Sequence, residues 1–290
     1  TEKDSMKKFF SKIKINQPDF KIYNGTNLLK EKRIKTPTIL KETSSSGSRG
    51  IYKIKSQKKF FNIKNKISNN KKYIVEDLIM GKEFGANIIF YRKKIQNIFI
   101  FDDIVFDNGD TNVPIGHIYP SKNLEKFKTK INEIANKIIK NLNIKNGFLN
   151  LDLIFDKKKR KLFLIEFSTR LGATGIPELF NFSHNDNLFD KTIDIDNISR
   201  KFNFKKNNKS EKSFFLSLLA ISKKKGLLKK IEINKNFKKF CLFKSFLPIG
   251  SKIEKFNTGN NMLGYAIFRF NNKTYLNKNI YNYFNIEITK

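Results

Sequence analysis

Tryptophan is missing from this 290-residue chain, cysteine occurs once, histidine twice, and 26 acidic residues stand against 59 lysines and arginines. A single cysteine excludes an internal disulfide, which fits a reducing compartment, and the cytoplasm is the expected location. Cys241 lies in an apolar run, where packing is its ordinary use. No apolar run approaches the roughly 20 residues of a membrane span and no signal-like segment opens the chain, so no membrane partner is expected. The shortage of acid leaves a formal charge of +33 and a pI near 10.0. Basic stripes neutralise nucleic-acid phosphates, but here the excess is mostly lysine, whereas bidentate phosphate and base recognition favours arginine. Lysine is also spread along the whole chain. Abundant Asn, Ile and Phe point to AT-rich coding, which fills solvent-facing positions with Lys and Asn. No specific nucleic-acid partner is expected, and a general attraction to anionic substrates remains.

What is present centres on Gly147 to Arg170, which reads as a β-hairpin with its turn near Lys159. Alternate residues of a strand face opposite sides of the sheet. Leu149, Leu151, Leu153 and Phe155 share one face with Phe163, Ile165 and Phe167. Asn150, Asp152, Glu166, Ser168 and Arg170 fall on the other. A turn symmetric about Lys159 sets Asp152 across from Glu166, at a Cβ separation of about 4.5–5.5 Å, where like charges destabilise a sheet. A cation removes that penalty, and Mg²⁺ favours one or two carboxylates, water and phosphate oxygens. A solvated polar face is the other reading of the same pattern.

Around this hairpin, residues 4–15 read as a short helix with Asp4 as cap, and a second helical stretch falls near Asn27–Lys35. Residues 37–54 read as strand, polar loop, strand, with Lys41 at the end of the first strand and the loop at Thr43–Gly50. Small residues and glycines let backbone N–H groups approach an anion. The lysine precedes the glycines, unlike a Walker A loop. Residues 73–79 form a buried-type strand ending before Gly81 and Glu83. Strands follow at Ala86–Tyr91 and Ile95–Asp102, then a long loop over 103–120 that contains His117, to which no role is assigned. Residues 122–142 are the clearest helix, with Leu124, Phe127, Ile131, Ile134, Ala135, Ile138, Ile139 and Leu142 at helical spacing and Ser121 as N-cap. Asp186, Asp190, Asp194 and Asp196 lack EF-hand spacing and are taken as surface. Residues 200–212 read as a linker, and the remainder as a small mainly-β unit with a helical patch at Phe214–Lys225.

The hairpin, the Lys41 loop and the Glu76–Glu83 segment, in this order, resemble the ATP-grasp superfamily, in its carboxylate–amine ligase and carbamoyl-phosphate-synthase-like branch. The resemblance covers roughly the whole chain, with its core at 37–178. It implies an α+β fold of two lobes gripping ATP, divided as linker helices over 1–35, a small lobe over 36–79, a large lobe with the metal site over 80–199, and a mainly-β unit over 200–290. The family's amino-terminal α/β domain is expected to be absent, and the first residue is Thr rather than Met.

Residue by residue, the resemblance implies that Lys41 holds the α- and β-phosphates and that the Ser44–Gly50 loop, with Ser46, Gly47 and Ser48, closes over them. Glu76, Asp77, Leu78 and Ile79 would form the hinge at the adenine edge, and Glu83 would meet the ribose. Asp152 and Glu166 would hold Mg²⁺, with Mn²⁺ as an alternative. Ser168 stands where the family usually has a metal-binding asparagine, which leaves the number of metals open. Arg170 would face the transferred groups. A second lysine is expected after an early aspartate; Ser5 follows Asp4, although Lys3 and Lys7 are close by. The implied activity activates a carboxylate with ATP and joins it to an amine. Both partners are small molecules, and a homodimer stays open. Alternatives are a kinase or carboxylase on this fold, a nucleotide binder without turnover, or a basic nucleic-acid-binding protein.

Overall fold

The computed structural model describes residues 2–45, 47, 49–121, 124–188, 190, 213–237, 240–271 and 279–289. Ser46, Ser48, Asp194, Asp196 and the linker expected over 200–212 lie outside the described residues. In chain order the elements are α1 (Lys3–Lys12), β1 (Phe20–Asn24), α2 (Gly25–Lys30), β2 (Thr38–Glu42), β3 (Ile51–Ile54), α3 (Gln57–Ile63), β4 (Lys72–Asp77), β5 (Lys82–Tyr91), β6 (Lys94–Asp107), β7 (Asn112–Tyr119), α4 (Leu124–Leu142), β8 (Gly147–Asp156), β9 (Lys161–Ser168), α5 (Ile176–His184), β10 (Phe214–Ala220), β11 (Gly226–Ile233), β12 (Phe240–Ser245), β13 (Lys252–Ile253), β14 (Gly264–Phe270) and β15 (Phe284–Thr289). Two compact units result. The first comprises Thr1–Phe84, Phe106–Val113 and Leu151–Ser168; the second comprises Gly85–Val105, Pro114–Asn150 and Thr169–Lys290.

In the first unit, β1-β4-β2-β3 form an antiparallel sheet. Strand alternation splits its side chains cleanly. Leu40, Ile54, Tyr73 and Val75 join Leu28 of α2 and Phe60 and Ile63 of α3 in one apolar core. Both helices are started by side chains: Asn24 Oδ1 accepts from Asn27 N–H at 2.7 Å and Ser56 Oγ from Lys59 N–H at 3.3 Å, which satisfies otherwise orphaned first-turn donors. The opposite face of the sheet carries Ile39, Lys41, Ile74 and Glu76.

The hairpin forms as β8 and β9, neighbours in an eight-stranded sheet of order β12-β14-β10-β7-β6-β5-β8-β9. Its turn is set by Asp156, whose Oδ1 accepts from Lys158 and Lys159 N–H at 2.9 and 3.0 Å, a local bond that competes with continued strand. Leu149, Leu151, Leu153 and Phe155 are buried as expected. On β9 the expected division into an apolar and a polar face fails. Leu162 and Leu164 are buried together with Phe163, while the Phe167 ring lies tilted against those of Phe9 and Phe10 of the same unit, with centroids 6.0 and 5.7 Å apart. Both faces of β9 are covered, and polarity begins only at Glu166. The strand is also an edge, and Asn16 blunts it: Leu164 N–H donates to Asn16 O at 2.9 Å and Asn16 Nδ2 donates to Leu162 O at 2.6 Å.

In the second unit α4 buries Phe127, Ile131, Ile134, Ala135, Ile138 and Ile139 at the expected spacing, while Ser121 Oγ donates to Asp102 Oδ1 at 2.8 Å. Two expectations are overturned. The helical patch at Phe214–Lys225 is instead strand β10, paired with β14 and β7 on its two sides. A strand covered on both faces is apolar at nearly every position, so FFLSLLA carries no period that separates it from a helix. The long loop over 103–120 is instead the end of β6 and the whole of β7. Pro114 is tolerated because it is exposed and the β10 pairing begins only at Gly116. His117 is therefore a strand residue, 5% exposed, with Nδ1 2.8 Å from Asp103 Oδ1.

Candidate active site

Lys41 lies opposite Ile74 and Glu76 opposite Ile39. That diagonal offset is within reach of long side chains. The Lys41 ammonium closes on Glu76 Oε1. From α1, Lys7 brings its Nζ to 2.8 Å from Glu76 Oε2. Lys7 and Glu76 side chains are only 1% and 2% exposed, Lys41 10%. Neither Lys7 Nζ nor Glu76 Oε2 has a partner in hydrogen-bonding geometry, so their contact is a Coulombic ion pair. Burial alone would raise the Glu76 pKa, but Lys41 and Lys7 outweigh it and hold the carboxyl below its ordinary value. Burial lowers the pKa of Lys7 against the pull of Glu76, and that of Lys3 against the pull of Glu166.

Lys3 completes the group, its ammonium donating to Ser45 O at the base of the Thr43–Gly50 loop. Ser45 Oγ donates to Arg49 O at 2.7 Å and Glu42 N–H to Gly50 O at 2.9 Å, so the loop closes on itself. Gly47 and Gly50 adopt φ of 64° and 62°, which glycine reaches without steric cost. Two ammonium groups thus converge on Glu76, Lys3 stands in the field of Lys41, and Glu166 acts on both Lys3 and Lys7. Lys3 and Lys7 are one turn apart on the buried face of α1, beside Met6 and Phe10. The available signal was a lysine pair at i, i+4 falling on the apolar side of a short helix.

The hinge stretch differs in part from expectation. The Glu76 carboxylate is consumed by the lysines, its carbonyl accepts from Thr38 Oγ1, and Asp77 N–H donates to Asp19 O at 2.9 Å. The Asp77 carboxylate holds Lys35 at 2.6 Å, and Leu78 N–H points to Pro37 O at 3.5 Å. Among the described residues Ile79 N–H makes no hydrogen bond, which leaves it the donor suited to a base edge. A Cβ on Gly81 would lie 2.4 Å from Phe155 O, so only glycine lets the chain pass β8 at this point. Glu83 accepts from Asn112 Nδ2, a partner that the sequence did not announce.

Asp152 is exposed on β8, and Glu166 is half-buried at the end of β9. Ser168 Oγ is buried with no hydrogen-bond partner, and Glu166 makes no hydrogen bond or ion pair among the described residues. Among those residues no three of His, Cys, Asp and Glu cluster. Two carboxylates and an orphaned hydroxyl are hard oxygen donors, and they fit a Mg²⁺ ion that takes its remaining ligands from phosphate and water. Arg170 belongs to the second unit, is exposed, and donates from Nη1 to Leu171 O at 2.9 Å. A cavity of about 690 Å³ in the same unit is lined by residues such as Leu219, Lys229 and Tyr281, and no motif residue lines it.

A family model for the ATP-grasp domain matches residues 34–178, half of the chain. The chain belongs to the ATP-grasp family. The match contains Lys41, the hinge, both hairpin carboxylates and Arg170, and it excludes Lys3 and Lys7. Phosphoribosylglycinamide synthetase from Anaerococcus prevotii has a similar structure, with a TM-score of 0.71 at 25% identity over 99% of this chain and 74% of that one. L-amino acid ligase from Bacillus licheniformis gives 0.74 at 14% identity, over 100% and 73%. Phosphoribosylamine–glycine ligase from Thermotoga maritima gives 0.68 at 15% identity, over 99% and 76%. No curated protein matches the sequence. No helix among the described residues is long and apolar enough to cross a membrane.

Proposed function

We propose that this ATP-grasp chain is an ATP-dependent ligase that activates a small-molecule carboxylate as an acyl phosphate and joins it to an amine. The reading rests on one observation above all: Lys41 and Lys7 converge on the buried Glu76, Lys3 lies in the field of Lys41 and Glu166, and the unpartnered Ser168 hydroxyl stands two residues beyond Glu166 along β9. A carboxylate is a poor acyl donor. Its oxygen attacks the γ-phosphorus of ATP, the bond to the β-phosphate oxygen breaks, and ADP leaves. The amine nitrogen then attacks the acyl carbon, phosphate departs, and the nitrogen loses a proton.

Catalysis of this kind is mostly positioning and charge neutralisation. Lys41 and Lys3 meet the α- and β-phosphates. Lys7 and Glu76 fix the Lys41 ammonium in place from below. Ile79 N–H meets the base and Glu83 the ribose, the latter by exchanging the Asn112 amide for a ribose hydroxyl. Asp152, Glu166 and Ser168 would hold Mg²⁺, which when bound supplies charge neutralisation between the β- and γ-phosphates. Arg170 offsets charge developing on the transferred phosphoryl group.

The test is product analysis. Purified chain with Mg·ATP and a panel of carboxylic acids and amines should release ADP and phosphate only when both substrates are present, with an amide as product. ADP release on an acid alone, with a stable phosphorylated product, would instead identify a kinase on this fold.

A further inference from the structure

Asn87 lies on β5, is 2% exposed, and has no part in the chemistry described above. Both ends of its amide are engaged. Oδ1 accepts from Gly172 N–H at 3.0 Å and Nδ2 donates to Asn150 Oδ1 at 3.1 Å. The orientation is unambiguous, because a backbone N–H can only donate and so must meet the amide oxygen. The next anchor on the same loop is Ser217 of β10, whose Oγ donates to Thr174 O at 2.5 Å. Gly175, at φ 75°, follows with the Ser217 hydroxyl and the Tyr265 ring so close that a Cβ would meet them at 2.6 and 2.9 Å. Residues 172–175 are thereby tied to two strands, while Thr169 and Arg170 remain exposed.

We propose that Asn87 is a positioning residue for Arg170, acting through the Gly172 N–H; this rests on the ligase reading above. Two residues span at most about 7 Å of chain, so fixing residue 172 confines the arginine to a short arc. Gly172 is matched to the latch. A Cβ there would meet Ile176 Cδ1 at 2.6 Å, Asn150 Oδ1 at 2.7 Å and Asn87 Nδ2 at 3.2 Å, so any larger residue lifts the loop off the amide.

The experiment compares wild type with Asn87→Leu, Asn87→Asp and Gly172→Ala in steady-state turnover, ATP affinity, and hydrogen exchange of the segment 171–175. Asn87→Leu removes the acceptor at similar volume. Asn87→Asp keeps an acceptor for Gly172 N–H, and the Asn150 amide can turn to donate to it. The expected result is a kcat about a hundredfold lower in Asn87→Leu and Gly172→Ala, the scale of a 1 Å misplacement of a reacting group. ATP affinity should stay at the wild-type value, exchange over 171–175 should rise in both variants, and Asn87→Asp should recover most of both losses. Faster exchange with unchanged kcat would make the latch merely structural and overturn the proposal while the ligase reading stands. Parallel loss of ATP affinity would overturn it too, since a folding defect would then explain the kinetics. A wild type that turns over no substrate pair would defeat the ligase reading, and this proposal with it.

Discussion

Replacing Glu76 by Gln removes the one carboxylate between two buried ammonium groups while keeping the shape of the side chain. Lys7 is 1% exposed, and in the variant it has two options. It can stay charged without a counter-ion, which costs about 3–5 kcal/mol when a buried pair is broken from one side. Alternatively it can release its proton. From an ordinary value of 10.5, losing the proton at pH 7 costs about 4.8 kcal/mol, at roughly 1.36 kcal/mol per pH unit. The cheaper option sets the loss, so Glu76→Gln should cost about 3–5 kcal/mol at pH 7. At pH 9 deprotonation costs only about 2 kcal/mol by the same conversion. The sign follows from linkage. The variant binds fewer protons at Lys7 when folded than when unfolded, so its stability rises with pH up to the unfolded value. Urea unfolding followed by circular dichroism at pH 7 and pH 9, with hydrogen exchange of α1 as a local probe, measures both quantities. The double variant Lys7→Met/Glu76→Gln should recover most of the loss, because an apolar residue replaces the stranded charge. A loss below about 1 kcal/mol, or one that does not change between the two pH values, would refute the buried-triad reasoning.

Three further outcomes follow from the same geometry. Lys41→Met should weaken ATP binding by roughly ten- to hundredfold in calorimetry, the range of a charge-assisted hydrogen bond to phosphate; an unchanged Kd would detach Lys41 from the nucleotide. Arg170→Ala should lower kcat by about 10²–10³ with ATP affinity intact, as expected for a group that acts on charge developing during transfer, and stopped-flow ADP release checks it. Gly81→Ala should destabilise the first unit by about 1–3 kcal/mol, because its Cβ would meet the Phe155 carbonyl at 2.4 Å, and thermal unfolding reads that directly.

The parts of the molecule that were legible in sequence are those where one period dominates. The Leu149, Leu151, Leu153, Phe155 alternation and the Phe127 to Ile139 spacing each describe an element with one buried side, and both elements formed where expected. β10 and β9 were hidden because neighbours cover both their faces, which removes alternation from FFLSLLA and puts Leu162, Phe163 and Leu164 inside together. His117 was misplaced because glycine and proline around it mark turns in most contexts, yet Pro114 sits where no β10 bond is needed. At the candidate site the sequence named Lys41, Glu76 and Glu166, but not their relation. That Glu76 serves the lysines depends on strand register, and Lys7 reaches it only because α1 packs with Lys3 and Lys7 inward. Asn87 and Asn112 left no trace in sequence, since a buried asparagine is recognised only by the partners that the fold brings to it.

Central to the proposed function is that the end of β9 would grip a nucleotide through a divalent ion. Calorimetric titration of Mg·ATP into wild type and Glu166→Gln, each repeated with EDTA, tests it most directly. Saturable binding that requires Mg²⁺ in wild type and is lost or severely weakened in a folded Glu166→Gln variant is the predicted result. Equal affinity in the two proteins, or binding indifferent to EDTA, would contradict the metal assignment at the hairpin.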